Sequence, residues 1–146
     1  MFRYGATIFV SAFLLFQIQP MIARFILPWY GGTAAVWTTC MMFFQIVLLL
    51  GYLYAHLLQK TFKPLHAWAI HTLVLAIAII VASVVPPERL KPSGDEHLTI
   101  AILKVLAVSI GLPFFALSTT GPLIQAWQSV THQKKSPYRL LSLIHI

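Results

Sequence analysis

Charged residues are scarce in this sequence, and acidic residues are almost absent. Only 9% of the 146 residues are charged, with three Asp or Glu against ten Lys or Arg. Soluble domains of this size carry about 25% charged residues. The low charge, together with a hydrophobic content of 59%, excludes an ordinary soluble globular domain and predicts an integral membrane protein.

The motifs that usually mark catalytic, nucleotide-binding and metal-binding sites are also missing. The sequence has no G-x-S-x-G, Walker or G-x-G-x-x-G motif and no H-E-x-x-H pair. Its single cysteine, Cys40, cannot form an internal disulfide. We therefore predict no catalytic residue, no cofactor and no metal site in this sequence.

Four long apolar blocks occupy most of the chain instead. Each reaches or approaches the roughly 20 residues that cross about 30 Å of hydrocarbon as an α-helix. The second and third blocks contain no Asp, Glu, Lys or Arg. We predict an all-α fold, a polytopic bundle of four transmembrane helices that cover about residues 4–27, 34–58, 67–85 and 105–127.

The basic residues lie mostly on one side of these spans, which explains the net charge of +7 without nucleic acid. Lys and Arg concentrate in the cytoplasmic loops of membrane proteins. If the amino terminus is cytoplasmic, Arg89 and Lys91 lie in the outer loop. We therefore predict that both termini are cytoplasmic and that the lipid bilayer is the partner of the spans. The basic residues predicted on the cytoplasmic side are Arg3, Lys60, Lys63, Lys134, Lys135 and Arg139.

Glycine and proline predict how the helices connect and bend. Gly31 and Gly32 form a short turn, so the first two spans are expected to make an antiparallel hairpin. Pro113 and Pro122 interrupt the fourth span, and each removes one backbone hydrogen bond. Inside a membrane, a backbone carbonyl that has lost its hydrogen bond is tolerated only where it faces protein or water. The fourth helix is therefore expected to face a bundle interior or a cavity.

Polar residues inside the spans recur at seven-residue spacing, which places them on one face of each helix. Such stripes suit a hydrated or ligand-binding interior. They equally suit helices that merely hold one another by hydrogen bonds. The predicted polar interior of the bundle consists of Gln17, Arg24, Thr38, Gln45, Tyr52, Ser118 and Gln125.

Arg24 and Gln17 differ in how easily they reach water. Arg24 lies one turn from the outer boundary near Pro28, so we favour a side chain that extends to the headgroups over a buried functional cation. Gln17 lies about 10 Å deeper. We favour a hydrogen bond from Gln17 to Gln45 or Thr38 over a contact with substrate.

An ordered set of motifs covers the chain from about Ser11 to Leu140. The first half contains Q-P-x-I-A-R, L-P-x-x-G-G, A-V-W-T-T-C, F-F-Q and G-Y-x-Y-A-H. The fourth block adds S-I-G-L-P-F-F-A-L-S and P-L-I-Q-A-W, followed by S-P-Y-R-L. This order resembles the membrane portion of bacterial fused proteins described as major-facilitator-like/spermidine-synthase-like.

The resemblance implies that residues 1–140 are a fragment of a major-facilitator-like half-bundle in a bacterial inner membrane. In such relatives more membrane helices follow, and then a soluble aminopropyltransferase-like domain with a Rossmann-like nucleotide site. These spans would then anchor the missing domain and have no activity of their own. Two alternatives stay open: part of a transporter for a small polar or anionic solute, and a purely structural bundle.

The last six residues, LSLIHI, depart from the family pattern. They correspond to a direct translation of CTG TCT CTT ATA CAC ATC, which resembles the end of a transposase adapter. We therefore predict that Leu141–Ile146 is a non-native tail on a truncated reading frame.

Overall fold

The computed structural model of the chain describes residues 2–82, 85–91 and 97–131, and within them all regular structure is helical. The four predicted spans appear as three single helices and one composite helix. The predicted tail at Leu141–Ile146 and the basic residues Lys134, Lys135 and Arg139 lie outside these ranges. The elements are α1 (Phe2–Tyr30), α2 (Ala34–Thr61), α3 (Pro64–Val81), a 3-10 turn (Glu88–Leu90), α4 (Leu98–Leu106), a π-helical turn (Ala107–Gly111) and α5 (Leu112–Thr131).

The predicted all-α fold with four helices of membrane-spanning length is confirmed. The spanning segments run over Gly5–Tyr30, Ala34–Thr61, Pro64–Val81 and Leu98–Trp127, and each is apolar enough to cross a bilayer. The third ends at Val81 rather than at residue 85, and the fourth begins at Leu98 rather than at residue 105. We call α4, the π-helical turn and α5 together the fourth span.

Local chemistry explains where the first three helices end and begin. Helix α1 continues through Pro28, and Gly31 ends it with a φ of 83°. That conformation is left-handed, which glycine adopts without strain, and the Gly31 N–H donates to the Leu27 carbonyl at 2.8 Å. Pro64 opens α3 in its first turn, where a missing N–H has no effect on the helix.

The fourth span is the centre of the structure. Helix α5 packs against α1, α2 and α3, and α4 packs mainly against α2. In an apolar 18-residue stretch of the fourth span 44% of the residues are buried, against 17% in the corresponding stretch of α1. Although α1 and α2 are joined by a short turn, they pack principally on the fourth span rather than on each other. The short connection predicted between α1 and α2 is present, with Tyr30 and Ala34 as the adjoining helix ends, but the two helices make most of their contacts with the fourth span.

The main core lies where α1, α2 and the fourth span meet. Phe114 is the largest of the fully buried side chains, and its ring centroid lies 4.8 Å from that of Phe44. A smaller core joins α2, α3 and α5 through Ala55, Leu58, Ala67 and Leu123. The main core consists of Leu15, Ile22, Ile26, Val36, Cys40, Phe43, Phe44, Val47, Ile102, Leu106, Ile110 and Phe114.

Pro113 changes the helix around it in the way that its missing N–H requires. The π-helical turn Ala107–Gly111 stands directly before this proline, and the α-helix resumes at Leu112. Irregular turns of this kind re-arrange the backbone hydrogen bonds that a proline interrupts. The predicted distortion near Pro113 is thus present as a change from α-helix to π-helix, next to the core residues Ile110 and Phe114.

Candidate functional site

A cavity of about 430 Å³ lies between α1, α2 and α5. Its volume falls within the range of small-molecule sites. Most of the wall is apolar, but hydrogen-bonding side chains enter it from all three helices. The polar lining residues are Ser11 and Gln19 from α1, Tyr52 from α2, and Ser118 and Gln125 from α5.

Three of the predicted interior residues meet in this cavity, namely Tyr52, Ser118 and Gln125. Ser118 is buried, and its hydroxyl donates to the Phe115 carbonyl at 2.7 Å, so its oxygen can still accept a hydrogen bond. Tyr52 can donate or accept, and the Gln125 amide can do both. The lining offers donors and acceptors but no charged side chain, which suits a polar solute better than an ion.

The remaining predicted residues, Gln17, Arg24, Thr38 and Gln45, do not line the cavity. Their side chains lie exposed on the outside of the four described spans. The Thr38 hydroxyl donates to the Ala34 carbonyl of its own helix at 2.9 Å. The expected hydrogen bond from Gln17 to Gln45 or Thr38 is thus not formed within the described part of the chain. These four residues are thus not covered by the four described spans.

The geometry of α1 explains why Gln17 does not line the cavity. Gln17 and Gln19 are two residues apart, which places them about 200° apart around a helix. The inward face of α1 carries Leu15, Ile22 and Ile26, and Gln19 lies on the side of the cavity. Seven-residue spacing shows which residues share a face, but not which face is turned inward. The spacing therefore predicted Gln17 as an interior residue and did not identify Gln19 and Ser11, which line the cavity.

A second polar cluster lies between α2, α3 and α5, and sequence reasoning did not anticipate it. His71 of α3 is only 3% exposed, and its Nε2 lies 3.4 Å from the Thr120 hydroxyl oxygen. The His71 ring centroid lies 6.3 Å from that of Tyr54 and 6.4 Å from the ring of Trp127. The buried His71 of α3 thus lies between Tyr54 of α2 and the residues Thr120 and Trp127 of α5. We call these four residues the His71 cluster.

Comparison with protein-family models, with curated proteins and with solved structures finds no match to this chain. The resemblance to the fused membrane proteins therefore stays a prediction, which depends on the order of the motifs. Among the described residues no group of three or more His, Cys, Asp or Glu side chains could hold a metal ion. The chemistry that these helices offer is hydrogen bonding in the cavity and a buried imidazole between α2, α3 and α5.

Proposed function

We propose that the four spans are the membrane-embedded part of a larger protein, in which they anchor a soluble aminopropyltransferase-like domain at the cytoplasmic face of a bacterial inner membrane. The order of the sequence motifs supports the family, and the positive charges support cytoplasmic termini. In this arrangement the exposed Lys60 and Lys63 lie at the inner surface, and Arg89 and Lys91 lie at the outer one.

The observation that carries this proposal is the exposure of two amides within the spans. Gln17 of α1 and Gln45 of α2 lie well inside their helices, and neither is covered by another described helix. A polar side chain in contact with hydrocarbon is unfavourable, so such residues usually face protein or a water-filled space. The faces of α1 and α2 that carry them are therefore surfaces on which further membrane helices of the same protein pack.

Photo-crosslinking tests whether these faces are covered. A photoreactive amino acid at position 17 or 45, in the protein expressed from its complete gene, is expected to crosslink to membrane helices that follow residue 131. The matched control is position 80, because Ile80 is 82% exposed on an apolar face of α3 and should react with lipid. Reaction with lipid alone at positions 17 and 45 would contradict the proposal. A complete gene without a glycine-rich nucleotide-binding segment would contradict the anchoring role.

A second candidate function is the binding and passage of a small polar solute, and the cavity between α1, α2 and α5 favours it. The cavity reaches from Ser11 to Gln125, which both lie in the half of the bundle nearer the predicted cytoplasmic ends. Neutral hydrogen-bonding groups from three helices converge there, and this is the usual composition of a small-molecule site. Such a path requires that the cavity contains water.

Cysteine labelling measures whether water reaches the cavity. In a Cys40→Ala background, we expect Gln125→Cys to react with a water-soluble methanethiosulfonate reagent at least about tenfold faster than Leu49→Cys, since only a hydrated thiol ionises readily. Leu49 is the control because it is 68% exposed on an apolar face of α2. Adding Gly121→Leu should slow the reaction at position 125, because Gly121 lines the cavity and has free space around its Cα. Equal rates at positions 125 and 49 would remove this candidate.

A further inference from the structure

His71 is an ionisable side chain in a place where ionisable side chains are rare. Among the residues whose burial is described (5–82, 85–91 and 97–127), it is the only buried histidine, and no Asp, Glu, Lys or Arg is buried. Helix α2 presents Tyr54 to it, and α5 presents Thr120 and Trp127. Tyr54 is thus the only titratable group among these facing residues. An ionisable residue inside a membrane span commonly marks a functional site.

The hydrogen bonds around Thr120 determine which nitrogen of the neutral imidazole carries the proton. The Thr120 hydroxyl donates its hydrogen to the Ala116 carbonyl at 2.8 Å. Its oxygen can therefore only accept from His71, so the proton of the neutral ring lies on Nε2. The other nitrogen, Nδ1, is left as a free acceptor.

Two complementary polar atoms of the cluster have no hydrogen-bond partner in the described structure. These are His71 Nδ1, which is an acceptor in the neutral ring, and the Tyr54 hydroxyl. Buried polar atoms are normally paired, so two such atoms on neighbouring rings require an explanation. A hydroxyl can donate to a bare nitrogen and can also accept from a protonated one. Tyr54 is therefore suited to both protonation states of His71.

We propose that the His71 cluster is a proton-binding site inside the membrane. A hydronium ion gives one proton to His71 Nδ1, so an N–H bond forms, one O–H bond of the hydronium breaks and a neutral water molecule is left, and the cluster gains one positive charge. The new N–H donates to the Tyr54 hydroxyl, directly after a side-chain rotation or through one water molecule, while Nε2–H continues to donate to Thr120. This inference does not depend on the anchoring function.

The fluorescence of Trp127 reports the charge on His71, because a protonated imidazole in contact with an indole is a cation beside an aromatic ring and quenches its emission. In the chain reconstituted into lipid nanodiscs, we expect a reversible loss of tryptophan emission as the pH is lowered, because the imidazole becomes a cation when it binds a proton. His71→Gln should abolish this transition, and Trp127→Phe should remove its signal. Tyr54→Phe should shift the transition to lower pH, because the protonated ring then loses its acceptor.

His56→Gln is the matched control, since His56 is an exposed histidine of α2. It should leave the fluorescence transition unchanged, and circular dichroism verifies that each variant keeps its helices. A transition that persists in His71→Gln, or that disappears in His56→Gln, would overturn the proposal. So would a wild-type emission that does not depend on pH. If His71→Gln does not fold, the shift expected for Tyr54→Phe still decides between a proton site and a purely structural histidine.

Discussion

Replacing Gly51 with leucine is expected to separate α2 from α5 and to prevent stable packing of the four spans. A Cβ atom at Gly51 would overlap the Ser118 hydroxyl oxygen and would lie 3.2 Å from both Ser118 Cβ and Thr119 Cγ2. The hydroxyl can rotate away, but the two carbon atoms belong to a buried part of α5. Overpacking of this kind typically costs about 1–3 kcal/mol, and leucine adds three further carbon atoms. Equilibrium unfolding of the chain in mixed micelles measures the loss.

Two further variants show whether this loss comes from contact with Ser118. Gly51→Ala should destabilise the bundle less than leucine does, and adding Ser118→Ala should recover part of that loss, because the oxygen nearest to the new methyl group is removed. Gly32→Ala is the control, since no atom lies within 4 Å of a Cβ placed there. If Gly51→Ala and Gly51→Leu are as stable as Gly32→Ala, α2 and α5 do not approach each other closely at this point.

The helices were predictable because a membrane leaves few alternatives. Backbone groups in hydrocarbon must bond within the chain, so an apolar block of sufficient length becomes a helix regardless of its detailed sequence. The blocks near residues 34–58 and 105–127 illustrate this, since both lie within observed helices. Their ends were less predictable. The fourth helix begins at Leu98 because α4 also packs on α2, and a limit based on bilayer thickness does not include such packing.

The direction in which each helix faces was much harder to predict. In a soluble protein the apolar side of a helix turns inward, whereas in lipid both sides are apolar and hydrophobicity gives no direction. Small residues are more informative, because close backbone approach requires them. Gly51 and Ala55, four residues apart, are both buried, whereas the polar Gln45 of the same helix is exposed. A prediction from small residues would have oriented α2 correctly.

The cavity was predicted only in part, and the His71 cluster not at all. Tyr52, Ser118 and Gln125 were selected because polar residues in spans are unusual, and the same argument selected Gln17 and Gln45, which do not line the cavity. The contact between His71 and Thr120 joins residues that are 49 positions apart. No local pattern encodes this pairing, since it depends on where the fourth span inserts between the other helices.

Replacing Phe114 with alanine is expected to cause the largest loss of stability of any single truncation in the main core. Phe114 is fully buried, and its ring packs at 4.8 Å from the ring of Phe44. Phe→Ala substitutions in cores cost about 3–5 kcal/mol, because the remaining cavity loses its packing contacts. In a bilayer such contacts matter particularly, since van der Waals packing rather than the hydrophobic effect holds helices together. Unfolding in mixed micelles measures this loss on the same scale as the Gly51 variants.

Phe9→Ala is the control for Phe114→Ala, because Phe9 is 71% exposed on the outside of α1 and its removal leaves no enclosed space. Addition of benzene should restore part of the stability of Phe114→Ala and none of that of Phe9→Ala, since an enclosed apolar cavity binds small apolar molecules. Equal stability of the two variants would mean that lipid or a neighbouring side chain fills the position of Phe114. The fourth span would then not be the central packing element, and the cavity and the His71 cluster, which both include residues of α5, would lose their structural basis.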